Sequence, residues 1–204
     1  MRFLPCADQG VLVEAGSLDE AMALYRALAD RPPPGVDALV PAARTVLLRL
    51  APGADPARVE QAVRGAESGD ARSRAGEVVR IPVAYDGADL PQVAEVTGLS
   101  VREVVRLHTG AVWTVAFGGF APGFGYLTGG PPELTVPRRA ESRTRVPAGA
   151  VGLAGEFSGV YPRPSPGGWQ LIGRTEREMW REDRTPPALL RPGVRVRFEE
   201  VGGA

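Results

Sequence analysis

Lysine is missing from this chain: all 24 Lys+Arg positions are arginine. A Schiff-base lysine, a Walker lysine and a biotinylated lysine are thereby excluded. Cysteine is almost missing. Cys6 has no second cysteine to form an internal disulfide with, and beside Pro5 in an apolar segment it reads as a small core residue rather than a nucleophile. A single histidine, His108, leaves no multi-His or Cys/His metal cluster within one chain, while carboxylate-only sites for Mg²⁺ stay open. Net charge is also absent, because 24 Asp+Glu balance the arginines. That balance argues against capture of nucleic acid or an anionic membrane as the main activity. No run of roughly eighteen apolar residues exists to span a bilayer. The opening "MRFLPCADQG" lacks the apolar core of a secretory signal, so the expected location is the cytoplasm.

What is present fits a globular protein of 204 residues, with 44% hydrophobic and 24% charged residues. The first stretch reads as two short strands around Asp8-Gln9-Gly10, then a helix with a capping box at Ser17-Leu18-Asp19-Glu20 and an apolar stripe of Met22, Leu24, Tyr25 and Leu28. Two more strands broken near Pro41 follow. A second helix starts with Asp55 as N-cap and Pro56 at its first position. The order ββαββα suggests a small α+β domain over residues 1–76. "GAESGDARSRAGE", residues 65–77, is small and charged and reads as a linker. Beyond it, more than half of the 26 glycines fall among short strand patterns between residues 110 and 175, so residues 77–204 form a second, mainly β domain.

The segment "LPQVAEVTGLSVREVVRLHTG" has the look of a helix-turn-helix, with caps at Asp89 (with Gln92) and Ser100 (with Glu103). Its second helix carries Arg102 and Arg106 against Glu103, too little uncompensated positive charge for a DNA reader. His108 continues the apolar stripe of Val101, Val104 and Val105. It is either a satisfied core imidazole or a proton-transfer group carried toward the following loop by the strand "AVWTVAF".

That loop, "FGGFAPGFGYLTGG" at residues 117–130, has no Gly-Lys-Ser/Thr ending and no full dinucleotide fingerprint. Pro122-Gly123 reads as a type II turn. Phe120, Phe124 and Tyr126 alternate along it, so at least one aromatic face is presented to a core or a ligand. A second glycine-rich run, residues 146–175, offers Ser165, the amides of Gly167 and Gly168, and Arg174, groups suited to a carboxylate or phosphoryl oxygen. Neither Ser158 nor Ser165 lies in a G-x-S-x-G elbow.

"GFAPGFGYL", "PRR", "VPAG", "GVYPRPSPGGWQLIGRT" and "LLRPGVRVRF", in this order, resemble the allophanate hydrolase subunit 1 family, whose members include the B-subunit of ATP-dependent 5-oxoprolinase. The resemblance runs almost continuously from Ile81 to Phe198 and more weakly through the first domain. It implies a cyclophilin-like β-barrel preceded by a small α+β domain, with the helix pair as a decoration of the barrel. It also implies two partners, a homologous C-subunit together with a separate A-subunit. The implied reaction is opening of the lactam of 5-oxo-L-proline to L-glutamate at the expense of ATP. ATP with Mg²⁺ then enters as a substrate of the complex, and this chain carries no cofactor of its own.

On this reading His108 and Arg174 are the catalytic candidates. The loop residues Phe120, Pro122, Gly123, Phe124 and Tyr126 form the pocket wall, and Ser165, Gly167 and Gly168 join Arg174 around an anionic group. The chain departs from its relatives at Ala150, Phe157 and Ser158, where Ser, Gln and Thr are common. Because the fold also occurs in a histidine-kinase inhibitor and in the carboxyltransferase part of urea carboxylases, a regulatory or carboxyl-transfer role is the alternative.

Overall fold

The computed structural model describes residues 1–65 and 78–202, so all of the expected linker except Gly65 lies outside the described residues. The chain falls into two compact units, Met1–Arg74 and Ala75–Ala204.

In the first unit, β1 (Arg2–Pro5), β2 (Gly10–Glu14), β3 (Val36–Pro41) and β4 (Thr45–Leu50) form an antiparallel sheet in the order β1-β2-β4-β3. Opposed pairs Val11↔Leu48 and Val13↔Val46 place one apolar face on the helices α1 (Leu18–Asp30) and α2 (Pro56–Gly65). Leu24, Leu28, Val59 and Val63 complete that core. The ββαββα order is the one the sequence pattern gives. The caps hold with one shift of partner: Ser17 Oγ accepts from the Glu20 N–H, but the Glu20 carboxylate reaches back to Gly16 N–H at 2.8 Å. Asp55 Oδ1 accepts from Ala57 N–H at 2.9 Å and starts α2.

The second unit opens with β5 (Val78–Val83), α3 (Leu90–Thr97), α4 (Val101–Gly110), β6 (Trp113–Gly118) and β7 (Gly125–Thr128). It continues through β8 (Arg143–Val146), β9 (Ala150–Ala154), β10 (Phe157–Val160), β11 (Ser165–Gly167), β12 (Gln170–Arg174) and β13 (Arg195–Glu200). Seven strands make one sheet in the order β12-β9-β10-β7-β6-β13-β5, and β8 with β11 makes a separate two-stranded ribbon. All neighbours are antiparallel except β13 and β5.

The two ends of this sheet meet. Ala84 and Arg174 exchange both backbone hydrogen bonds at 2.9 Å, which nearly closes a barrel and removes much of its exposed edge. Two glycines permit the seam: a Cβ on Gly173 would lie 2.5 Å from Ala84 O, and one on Gly87 would lie 2.3 Å from the Ile172 carbonyl carbon. The interior is filled by Ile81, Val83, Trp113, Leu127, Leu153, Ile172 and Phe198, together with Val93 and Val104 from the helices. Each such side chain contributes about 1.5–3 kcal/mol on burial. The helix pair therefore spends its apolar faces on the barrel.

Strand β12 is buried on both of its faces. Gln170, Leu171 and Ile172 are all buried, because Leu171 joins a second apolar cluster with Trp169 while Ile172 faces the barrel core. The expected cap at Asp89 is corrected. Asp89 precedes α3 but makes no side-chain cap, because its carboxylate is bonded to Arg139, Arg143 and the Leu171 N–H instead. The described residues thus form a mixed α/β fold with four α-helices and a nearly closed, barrel-like sheet. No helix among them is long and apolar enough to cross a membrane.

Candidate functional site

The β6–β7 connection is the glycine-aromatic loop. Phe124 N–H donates to Ala121 O at 3.0 Å and Gly123 has φ 85°, which makes Pro122-Gly123 the expected type II turn. Phe120, a non-glycine residue, is held at φ 64° and is 56% exposed. A bulky side chain in the left-handed region is costly and points to a local constraint. Aromatic contact supplies part of it: the Phe120 ring meets Phe124 at 5.3 Å and Tyr161 at 6.0 Å, both edge to face. Phe124 in turn packs on Tyr161 and Trp169, and Tyr126 stacks on Phe117 at 4.4 Å. The outer side of the loop, residues 118–124, faces Ala188, Leu190, Arg191 and Pro192 across an open cleft of about 510 Å³. Arg191 is the charged residue of that cleft.

On the other side of Tyr161 the surroundings turn polar. The buried carboxylate of Asp89 accepts at Oδ1 from Arg139 Nη1 and from Arg143 Nη2, each at 2.7 Å, and at Oδ2 from Leu171 N–H at 2.7 Å. Burial by itself would raise the Asp89 carboxyl. The hydrogen bonds from Arg143 and Leu171, with the charges of Arg143 and Arg139, outweigh burial and hold it below the usual range. The barrel seam places this residue, because the backbone N–H of Asp89 also donates to Leu171 O at 2.9 Å, two residues after Gly87. Burial raises the Tyr161 phenol, while its hydrogen bond from Trp169 N–H and the charges of Arg138 and Arg143 act the other way. Gly167 lies against that phenol: a Cβ there would be 2.3 Å from Tyr161 Oη. Gly168 O accepts from Arg139 N–H at 2.8 Å, and a Cβ on Gly168 would be 2.8 Å from Ser142 Oγ.

The residues singled out in the sequence therefore separate. Phe120, Pro122, Gly123 and Phe124 line the cleft, whereas Tyr126 packs behind the loop against Phe117 and Trp169. Gly167 and Gly168 lie beside Tyr161 and the arginines. Ser165 is occupied, its Oγ donating to Arg163 O at 3.2 Å. Arg174 lies at the seam, with Nε on Asp86 Oδ2 at 2.8 Å. His108 is fully buried in the barrel, its ring stacked on Phe198 at 4.3 Å. Its Nδ1 is 2.7 Å from Tyr85 Oη and its Nε2 is 2.9 Å from Ser158 Oγ, so both ring nitrogens are bonded. Burial pushes its pKa down to about 3. This is the geometry of the satisfied core imidazole, the first of the two readings open for that residue.

Sequence reasoning passed over Asp89, Arg139, Arg143, Tyr161, Gln170 and Arg191 as site residues. "PRR" is visible as a motif, but nothing local tells which arginine turns inward. Asp89 stands where a helix cap is expected, and that reading hides its partners 50 and 54 residues away.

The family model of the carboxyltransferase domain, subdomain C and D, matches residues 1–190. The chain is 46% identical over 157 residues to the 5-oxoprolinase B-subunit of Escherichia coli O157:H7, an overlap of 76% of this chain and 72% of that protein. It is similar to the crystal structure of TTHA0988, with a TM-score of 0.80 and 40% identity; the match covers 96% of this chain but only 41% of the TTHA0988 chain. A conserved uncharacterized protein of Pyrococcus horikoshii, PH0987, matches with a TM-score of 0.60 and 33% identity, covering 98% of both chains.

Proposed function

The chain belongs to the family of the carboxyltransferase domain, subdomain C and D, and from that premise we propose that it is the B-subunit of a 5-oxoprolinase. The observation that carries the reading is the 46% identity over 157 residues to a protein of that name. The complex opens the lactam of 5-oxo-L-proline to L-glutamate, using ATP with Mg²⁺ as co-substrate, and works in the cytoplasm with the C- and A-subunits as partners.

A lactam carbonyl is a poor electrophile. Transfer of the γ-phosphoryl group of ATP to the lactam oxygen releases ADP and makes the ring carbon reactive. Water then adds to that carbon, the C–N bond breaks as the nitrogen takes up a proton, and the acyl phosphate so formed is hydrolysed by a second water to L-glutamate and phosphate. Such a sequence asks the protein for positioning and charge stabilisation more than for a strong nucleophile. This chain has the parts for positioning: an aromatic turn beside an open cleft, and two arginines fixed by one buried carboxylate. His108 is fully buried with both ring nitrogens bonded to neighbouring hydroxyls, and its proposed contribution is to hold the barrel core together.

The test is reconstitution with the two partners and measurement of ATP hydrolysis and glutamate release that depend on 5-oxo-L-proline. A folded, assembled complex without turnover overturns the reading.

A further inference from the structure

Three buried side-chain atoms have no hydrogen-bond partner among the described residues: Arg139 Nε, Arg143 Nη1 and Gln170 Oε1. Buried polar groups are seldom left so, and each needs a water, an ion or a ligand to account for it. The three belong to segments that run side by side. Arg139 N–H is bonded to Gly168 O, Arg143 pairs with Gly167 across the β8–β11 ribbon, and Gln170 Nε2 donates to Pro137 O at 3.2 Å. That last bond fixes the amide orientation, because the flipped amide would set oxygen against oxygen. Gln170 is only 6% exposed, so its free acceptor is a buried one.

Charge points the same way. Asp89 neutralises one of the two guanidinium groups it binds, and among the described residues no second carboxylate pairs with either arginine. The unspent groups are thus two charged N–H donors and one neutral acceptor. A small monoanion that carries an N–H next to its carboxylate is their complement.

Resting on the 5-oxoprolinase reading, we propose that Arg139 and Arg143 hold the carboxylate of the lactam substrate and that Gln170 Oε1 accepts its ring N–H. 5-Oxo-L-proline bears these two groups on adjacent atoms. Held by them, it has its ring methylenes and carbonyl left for the remainder of the site. Specificity then has two parts, the carboxylate read by the arginines and the N–H read by Gln170. All three are substrate-binding residues.

The experiment uses the full chain and the assembled complex. Titration calorimetry of the full chain should show 5-oxo-L-proline binding at least about tenfold more tightly than 2-pyrrolidinone, which lacks the carboxylate. In the complex, Arg143→Lys and Gln170→Leu should each raise KM for 5-oxo-L-proline about tenfold with little change in kcat, while Arg106→Ala on the surface of α4 changes neither. Gln170→Leu should also lose discrimination against the lactone analogue, which has oxygen in place of the ring N–H; a purely structural role for Gln170 would not move that ratio. Thermal melts identify a variant that fails to fold, and the analogue ratios in the unaltered protein then decide. Equal binding of 5-oxo-L-proline and 2-pyrrolidinone, or turnover with KM and analogue ratios unmoved in folded variants, overturns the assignment. Selective binding by the chain in a complex that does not turn over upholds the subsite and overturns the proposed reaction instead.

Discussion

Neutral His108 is held between Tyr85 and Ser158 inside an apolar barrel, and the energetic consequence is a pH dependence of stability. Its folded pKa is about 3 against an ordinary value of 6.5. As pH falls below 6.5 the unfolded chain takes up a proton that the folded chain refuses. The stabilisation is therefore complete above that value and is lost progressively toward pH 3, at about 1.4 kcal/mol per pH unit. Urea unfolding between about pH 7 and pH 5 should show this slope, and His108→Gln should flatten it while lowering stability throughout. Parallel pH profiles for the two proteins would refute the assignment. Ser158→Ala should cost about 1–3 kcal/mol, because it leaves Nε2 buried without a partner. The apolar stripe that ends in His108 was legible in the sequence. Its partners were not, since Tyr85 and Ser158 lie 23 and 50 residues away and nothing local links them.

The seam of the barrel is the point where single atoms decide how elements meet. Gly87 and Gly173 face backbone atoms that cannot retreat, so a methyl group at either position forces the strand ends apart. Gly173→Ala should destabilise the protein by about 2–3 kcal/mol in equilibrium unfolding. Gly110→Ala provides the contrast: it lies at the end of α4 with open space around it, and is expected to be neutral or stabilising by up to about 1 kcal/mol. If the two substitutions cost the same, the seam is not what those glycines protect. At this scale local patterns were readable, including the ββαββα order, the Ser100–Glu103 capping box and the type II turn. Strand order in the barrel was not. It depends on pairings such as β13 with β5, in which Arg195 lies opposite Val78, and on a bridge between Ala84 and Arg174. Periodicity reports which face of a strand is buried; it carries no information about which distant strand lies alongside.

Each of the two compact units has its own apolar cluster, Val13, Leu28 and Leu48 in one, Ile81, Leu127 and Phe198 in the other. A unit that buries its own core can fold by itself. The tryptophans make this testable, because Trp113, Trp169 and Trp180 all belong to the second unit. Tryptophan fluorescence of the full chain consequently reports on that unit alone. A fragment spanning Ala75–Ala204 should give a cooperative urea transition whose fluorescence midpoint and slope superimpose on those of the full chain. A fragment without a cooperative transition, or one destabilised by more than about 1 kcal/mol, would show that the barrel depends on the first unit for its stability. Superposition would make the barrel unit sufficient for the arginine–glutamine subsite. Calorimetric titration of the fragment with 5-oxo-L-proline should then return the affinity of the full chain, because Asp89, Arg139, Arg143 and Gln170 all lie within it.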